Sequence, residues 1–266
     1  MSLPRRRVLH LAAGAAVPFL LLVQSIAGAA ELKILSAGAA RQPQRELFSQ
    51  FERASGHKIV TEFDFGIALK RRIEAGEEFD VAILTLDVDE LVKQGKIAPG
   101  TRVVLGRTGV GVAVRKGAPK PDISTTDAFK RALLNAKTVA YAKEGGSGVY
   151  FLDLLQRLGI ADDMKAKLRP YPTKAGRTPS GGDGSVEAVA AGEVDIVVNG
   201  TVVIAAVPGV DLVGGLPPEV QTYVVFTAGV SARAKQPEAG RDLLRFLTTP
   251  AAVEVFKAGG LEPVAP

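Results

Sequence analysis

Four short segments rich in glycine and other small residues stand where a predicted strand runs into a predicted helix. They cover residues 36–40, 65–67, 145–148 and 181–185. Backbone N–H groups are accessible in such turns, and the dipole of the following helix favours negative charge at its amino end. Each turn taken singly could equally be an ordinary tight turn, in which glycine supplies a positive φ. Because open α/β sheets bind ligands at the carboxyl ends of their strands, turns that meet across a cleft predict an anion site.

Several side chains could complete such a site. Arg41 stands at the predicted start of the first helix, where its guanidinium could form paired hydrogen bonds with a carboxylate. The basic run at residues 70–72 is more typical of a solvated helix face. Tyr150 is a residue type that often packs in cores, whereas Asn199 closes an apolar strand, where a polar group needs a partner. The predicted ligand-binding residues are Ala37, Gly38, Ala39, Arg41, Phe65, Gly66, Thr85, Gly146, Ser147, Gly148, Tyr150 and Asn199.

Other kinds of chemistry find little support in the sequence. His57 is the only histidine beyond residue 29, so a zinc site with several histidines is excluded and a histidine-based triad has one candidate base. Asp87, Asp89 and Glu90 lie close together, but capping of the next helix explains them better than a metal or an acid–base pair. No phosphate-loop motif and no well-placed G-x-G-x-x-G occurs, so a nucleotide fold is not supported. We expect no cofactor, no metal and no catalysis.

Residues 1–29 have the three parts of an export signal. Three arginines at residues 5–7 precede an apolar run at residues 9–26, and small residues follow. This pattern predicts cleavage after Ala29, although the run is nearly long enough for a membrane anchor. Residues 5–10 loosely fit the twin-arginine pattern, so the export route stays open. Cleavage removes three arginines and no acid, which lowers the net charge from +5 to +2 and weakens the case for nucleic-acid binding. We expect a periplasmic protein with no stable membrane insertion.

Apolar patterning predicts strands and helices in alternation, which indicates parallel βαβ units. Predicted strands cover residues 32–35, 59–63, 81–84, 110–114, 138–141, 194–198 and 223–228, and predicted helices cover 44–54, 68–75, 88–94, 127–134, 149–158 and 237–258. Residues 117–122 are the predicted crossing between lobes, and residues 169–184 are a predicted exposed loop. We predict an α/β protein with two three-layer α/β/α lobes joined by a two-strand hinge. Lobe 1 comprises residues 30–112 and 225–266, and lobe 2 comprises residues 113–224.

The order of several short strings resembles a known family. The strings are FxxFExxSGHKIV at residues 48–60, LxxxIEAGExxDV at 69–81, VKQGKI at 92–97 and AAGEVDI at 190–196, with a closing helix, a Thr-Pro break and a short helix at 238–263. Together they resemble the type 2 periplasmic solute-binding proteins of ABC transporters, most closely the molybdate-binding branch. The resemblance covers nearly all of the mature chain. It implies a small ligand between two hinged lobes, an ABC transporter permease as partner, and a monomer.

The residues expected to hold the ligand depart from that family's pattern. Molybdate binders of this kind are similar in holding the oxyanion with serine hydroxyls in the first two strand–helix turns and with a tyrosine of the second lobe. The matching positions here are Ala39, Gly66 and the neighbourhood of Asn199. The loss of these donors favours a small organic acid with one or more carboxylates, and a molybdate- or tungstate-type oxyanion is the alternative. An envelope enzyme and a sensory protein on the same fold are further possibilities.

Overall fold

The computed structural model describes residues 29–85, 88–172 and 182–264. The predicted signal segment, apart from its last residue, lies outside these ranges, and so does Asp87. Within them, no helix is both long enough and apolar enough to cross a membrane.

Nine strands in this part of the chain form two sheets that share one long strand. The shared strand, β4, is Val103–Arg115. The other strands are β1 (Glu31–Ala37), β2 (Lys58–Asp64), β3 (Val81–Leu84), β5 (Val139–Ala142), β6 (Leu168–Tyr171), β7 (Ile196–Gly200), β8 (Val210–Gly215) and β9 (Tyr223–Val230). The strand order is β2-β1-β3-β9-β4-β7-β5-β6, with β8 also paired to β4. The sheet that ends in β2 forms lobe 1, and the sheet that ends in β6 forms lobe 2.

Ten α-helices connect and cover these strands in the described residues. They are α1 (Arg41–Ser55), α2 (Gly66–Glu74), α3 (Asp89–Lys93), α4 (Thr126–Asn135), α5 (Gly146–Arg157), α6 (Ala161–Met164), α7 (Ser185–Ala191), α8 (Thr201–Ala205), α9 (Pro237–Leu247) and α10 (Pro250–Ala258). The helical part predicted at residues 237–258 consists of two helices, with the break at Thr249-Pro250 that the family resemblance implies. Pro250 begins the second helix, and the side chain of Thr249 caps it by accepting a hydrogen bond from the N–H of Ala252.

The predicted fold class is confirmed, but the predicted crossing at residues 117–122 is wrong. The chain passes between lobes inside β4, which pairs with β9 as far as Gly109 and with β7 and β8 from Val110 onward. The strand extends seven residues before the predicted start at Val110, and its pairing register shifts at Gly106. The lobe boundaries after residues 112 and 224 stay predictions.

Helices packed on the sheets determine where the strand–helix turns lie. The apolar face of α1 is buried as predicted, through Leu47, Phe48 and Phe51, and Gly56 ends the helix in the left-handed conformation. In lobe 2, Phe129 of α4 and Phe151 of α5 are fully buried. Parallel pairing of β1 with β2 and β3, and of β5 with β6 and β7, points the carboxyl ends of these strands at the gap between the lobes.

Candidate ligand-binding site

A cavity of about 130 Å³ lies between the two sheets. The residues at the ends of β1, β2 and β3 line it from lobe 1, and those at the ends of β5 and β7 line it from lobe 2. The predicted ligand-binding residues in this lining are Ala37, Gly38, Ala39, Phe65, Gly66, Thr85, Gly146, Ser147 and Asn199. The structure therefore brings together three of the four small-residue turns, and Gly182 and Asp183 of the fourth turn also line the cavity. Their role in binding stays a prediction.

Three long helices begin near this cavity without a side-chain cap. A 3-10 turn at Gly38–Ala40 leads into α1, Phe65 precedes α2, and Gly145 precedes α5. None of these helices has its first N–H groups bonded by a capping side chain, whereas α4 is capped by Thr125. The first N–H groups of a helix have no partner within the helix, and they carry its positive partial charge. At α1 the N–H of Arg41 already donates to the carbonyl of Gly38, so the 3-10 turn and not the helix itself faces the cavity. The amino ends of α2 in lobe 1 and α5 in lobe 2 can offer main-chain donors to the cavity.

Asn199 is held by a network of hydrogen bonds within lobe 2. Its Oδ1 accepts from Ser147 Oγ at 3.0 Å and from the N–H of Gly200 at 2.7 Å. Its Nδ2 donates to Ser185 Oγ at 3.0 Å. The Ser147 hydroxyl therefore donates its proton to Asn199. The donor that Ser147 can offer a ligand is its backbone N–H and not its hydroxyl group. This network fixes the amino ends of α5 and α7 relative to the end of β7.

Thr108 and Thr85 line the cavity and contact neighbouring elements. Thr108 Oγ1 lies 3.0 Å from Thr201 Oγ1 and accepts from the N–H of Val202 at 3.1 Å, which joins β4 to the start of α8. Thr85 lies so close to Gly66 that a Cβ atom at Gly66 would overlap the Thr85 hydroxyl. The close approach of the end of β3 therefore favours glycine at the start of α2.

Two carboxylates also line the cavity, and no Lys, Arg or His does so among the described residues. Asp64 accepts from the N–H of Phe65 at 2.8 Å and lies 3.6 Å from the guanidinium of Arg72. Asp183 is 3% exposed, and its Oδ1 accepts from the N–H of Ser185 at 2.8 Å. Burial raises the pKa of Asp183, because desolvation disfavours its charged form. A protonated Asp183 could donate a hydrogen bond to an anion.

Three predicted ligand-binding residues lie outside the cavity lining. Arg41 is 4% exposed, and its guanidinium lies 4.6 Å from the ring centroid of Phe63. Gly148 packs against β5, where a Cβ atom would overlap the carbonyl oxygen of Ala142. The Tyr150 hydroxyl donates to the carbonyl of Val220 at 2.6 Å. Gly148 and Tyr150 thus have roles in packing α5 rather than in facing the cavity.

Sequence reasoning missed several lining residues. Asp183 stands in the fourth glycine-rich turn, directly after Gly182, so the turn itself was a usable signal. Asp64 precedes Phe65 at the end of β2. The apolar part of the lining had no local signal, because its members come from α8 and β9: Val202, Val203, Val224 and Phe226. In the described part of the chain, no group of three or more His, Cys, Asp or Glu could hold a metal ion.

Comparison of the sequence with known proteins shows which family the chain resembles. Residues 32–262 match the family described as bacterial extracellular solute-binding protein. The chain is 34% identical over 240 residues to a Pseudomonas sp. protein named aconitate isomerase, which covers 88% of each chain. It is 27% identical over 254 residues to the molybdate-binding protein ModA of Azotobacter vinelandii, which covers 90% of this chain and 92% of that protein.

Solved structures show the same fold. The substrate-binding domain of a putative molybdenum ABC transporter from Clostridium difficile superimposes with a TM-score of 0.68 at 16% sequence identity, over 89% of this chain and 100% of that one. The resemblance to the molybdate-binding branch of type 2 solute-binding proteins is thereby confirmed. The protein belongs to the family of bacterial extracellular solute-binding proteins.

Proposed function

We propose that this protein binds a small organic polycarboxylate in the cavity between its lobes. The observation that carries the proposal is the convergence of three strand–helix turns on one small cavity: the 3-10 turn before α1 and the uncapped amino ends of α2 and α5. Main-chain N–H groups at helix amino ends are suited to carboxylate oxygens, and they need no basic side chain in the lining. Family membership implies that a membrane transporter of the ABC type is the partner that receives the ligand.

Three further observations favour a carboxylate ligand over a metal oxyanion. The lining residues at the positions where the resemblance places serine hydroxyls are Ala39 and Gly66, which have no side-chain donor. Asp183, with its raised pKa, could share its proton with a carboxylate of matching basicity. The relative with 34% identity is named for aconitate, a tricarboxylate. We therefore expect tricarboxylates to bind more tightly than molybdate.

Calorimetric titration and thermal denaturation with a defined panel test this proposal. The panel contains tricarballylate, citrate and both aconitate isomers against molybdate, tungstate and sulfate. A tricarboxylate at 100 times its dissociation constant should raise the free energy of unfolding by about 2.7 kcal/mol. Stabilisation by molybdate and tungstate alone would reject the polycarboxylate and restore the oxyanion alternative.

Export to the periplasm and a monomeric state complete the proposal. Both rest on the predicted signal at residues 1–29 and on the family resemblance. Mass spectrometry of the protein purified from the periplasm should give a chain that begins at Ala30, and light scattering should give the mass of one copy. An uncleaved chain found in the membrane fraction would point to the anchor alternative.

A second candidate function is isomerisation of an unsaturated tricarboxylate, and Asp183 favours it. A buried carboxylate with a raised pKa is suited to move a proton. In aconitate, Asp183 would remove a proton from the CH₂ carbon. The electron pair of that C–H bond would form a double bond to the central carbon, and the electrons of the old double bond would move to the CH carbon on the other side. Asp183, after exchange of its carboxyl proton with solvent, would then deliver a proton to the carbon at the far end of the allylic system. One C–H bond breaks, one forms, and nothing is oxidised or reduced.

Proton NMR of cis-aconitate in D₂O with the purified protein tests this candidate. An isomerase should produce trans-aconitate and exchange deuterium into the CH₂ position, and Asp183→Asn should abolish both while binding persists. Asp64→Asn is the matched control, because that carboxylate also lines the cavity but is paired with Arg72. If the wild type binds aconitate tightly and no deuterium exchange occurs, the protein binds the ligand without isomerising it.

A further inference from the structure

A buried cation whose Nε has no acceptor among the described residues lies at the start of α1. Arg41 is 4% exposed, and within the described residues its Nε has no hydrogen-bond partner. The pKa of Arg41 is lowered, by burial first and by the neighbouring cation Arg45 second. A guanidinium remains protonated even so, because its ordinary pKa is far above neutral pH. A buried charge in this state calls for an anionic partner.

Gln44 presents a second unpartnered donor on the same face of the helix. Residues three apart on a helix are neighbours, so the side chains of Arg41 and Gln44 lie side by side. Gln44 is fully buried, and its Oε1 accepts from the hydroxyl of Ser36. That bond turns the amide so that Nε2 is left as a donor, and no described residue accepts from it. The two side chains together can form hydrogen bonds to both oxygens of one carboxylate.

This pair lies outside the cavity lining but close in the chain to residues that line the cavity on its lobe 1 side. Ala39, two residues before Arg41, lines the cavity. Phe63, whose ring lies under the Arg41 guanidinium, is two residues before Phe65, which also lines it. Two residues of chain span at most about 7 Å. A ligand of several carboxylates could therefore fill the cavity and extend one carboxylate toward Arg41.

We propose that Arg41 and Gln44 form a subsite for one carboxylate group of the ligand bound between the lobes. This inference rests on the proposed polycarboxylate ligand. The subsite supplies the positive charge that the described lining of the cavity lacks, and it selects ligands with a carboxylate that can reach α1.

Calorimetry with three saturated acids tests the subsite. Tricarballylate carries three carboxylates, glutarate lacks the middle one, and methylsuccinate lacks a terminal one. Arg41→Ala should weaken tricarballylate binding by about 10- to 100-fold, since it removes hydrogen bonds to a charged group. One of the two dicarboxylates lacks the carboxylate that Arg41 binds. The affinity for that dicarboxylate should be the same in Arg41→Ala and in the wild type. Arg45→Ala is the matched control, because Arg45 is exposed and lies 5.8 Å from the same Phe63 ring.

A second variant keeps the test valid if Arg41→Ala does not fold. Gln44→Met preserves the volume of the side chain and removes its donor, and it should weaken tricarballylate binding by about 10-fold. Circular dichroism establishes that each variant is folded. Equal tricarballylate affinity in the wild type, Arg41→Ala and Gln44→Met would overturn the subsite while leaving the proposed ligand intact.

Crystals soaked in sodium bromide give an independent test when no polycarboxylate binds. Anomalous scattering should place a bromide ion within hydrogen-bond distance of Arg41 Nε and Gln44 Nε2. A water molecule there, with no bromide, would overturn the subsite. Bromide at this position together with no binding of any polycarboxylate would reject the proposed ligand and retain an anion subsite of another kind.

Discussion

At the level of single residues, burial changes the pKa values of Asp183 and Arg41. Each is nearly fully buried, and each lies at the amino end of a helix that begins near the cavity. Burial raises the pKa of Asp183 and lowers that of Arg41, and in both cases it disfavours the charged form. Burial of such polar groups destabilises the folded protein. A bound ligand that forms hydrogen bonds with them would recover part of that free energy.

Asp183→Asn should make the protein more stable at neutral pH. Because the pKa of Asp183 is raised by burial, there is a pH range above the ordinary pKa of 3.8 in which the folded protein holds a proton that the unfolded chain has released, so stability falls as pH rises through that range. The neutral amide removes this loss and can still accept from the N–H of Ser185. Urea unfolding at pH 4 and pH 8 should give a stability gain that is larger at pH 8. A pH-independent gain, or the same gain in the exposed control Asp163→Asn, would contradict the assignment.

Two glycines of the same turn should differ sharply in their tolerance of alanine. A Cβ atom at Gly146 would lie 3.7 Å from Val224 Cγ2, which is an ordinary contact, whereas one at Gly148 would overlap the Ala142 carbonyl. Gly148→Ala should therefore cost about 1–3 kcal/mol of stability or more. Gly146→Ala should fold normally and lose affinity for tricarballylate, because the methyl group crowds the amino end of α5. Denaturant unfolding and calorimetry of both variants check this, and equal stabilities would contradict it.

At the scale of elements, the sequence predicted the helices and strands that have a clear apolar period. It missed the first half of β4, where Gly106 sits at a shift in register and the pattern is interrupted. It also missed β6, which contains Pro170, and the five-residue helix α8, which is nearly all apolar. The small-residue turns of the candidate site could be predicted because glycine marks them locally. The burial of Arg41 and Asp183 could not, because it depends on elements distant in the chain.

An ion-pair network holds α2 to the edge of lobe 1, and it should shape the acid stability of the protein. Arg72 contacts Glu62 of β2 and, at 2.6 Å, Glu77 beyond α2. Hydrogen bonds from Arg72, offset in part by burial, lower the pKa of Glu77 to about 2. A lowered pKa gives stability that is present above pH 4.5 and is lost as pH falls toward about 2.

Glu77→Gln should cost roughly 1 kcal/mol or less at neutral pH, because the pair is partly exposed to solvent. The difference from the wild type should shrink between pH 4.5 and pH 2, as measured by urea unfolding across that range. Glu78→Gln is the matched neighbour, since Glu78 pairs with Lys235 in an exposed position. A stability difference that does not change over this pH range would show that Glu77 acts through something other than its charge.

At the scale of the whole molecule, the chain passes between lobes within β4. Any movement of one lobe relative to the other would therefore have to bend this strand and the chain that enters β9. The lobes approach closely at one edge of the cavity, where a Cβ atom at Gly145 would lie 3.9 Å from the Phe65 ring. A ligand that contacts both lobes stabilises the closed arrangement by the difference in its affinity for the two states.

Small-angle X-ray scattering should therefore detect closure. Saturating tricarballylate should lower the radius of gyration of the wild-type protein, and acetate, which is too short to bridge the lobes, should leave it unchanged. An unchanged radius with bound tricarballylate would mean that the ligand enters a cavity that is already closed.

The central claim is that main-chain N–H groups from both lobes hold a polycarboxylate. A crystal structure with tricarballylate tests it most directly. We predict carboxylate oxygens within about 3 Å of backbone nitrogens at the amino ends of α2 and α5, with Asp183 in contact with the ligand. Tricarballylate bound elsewhere, or held in this cavity by the contacts of one lobe alone, would contradict the account.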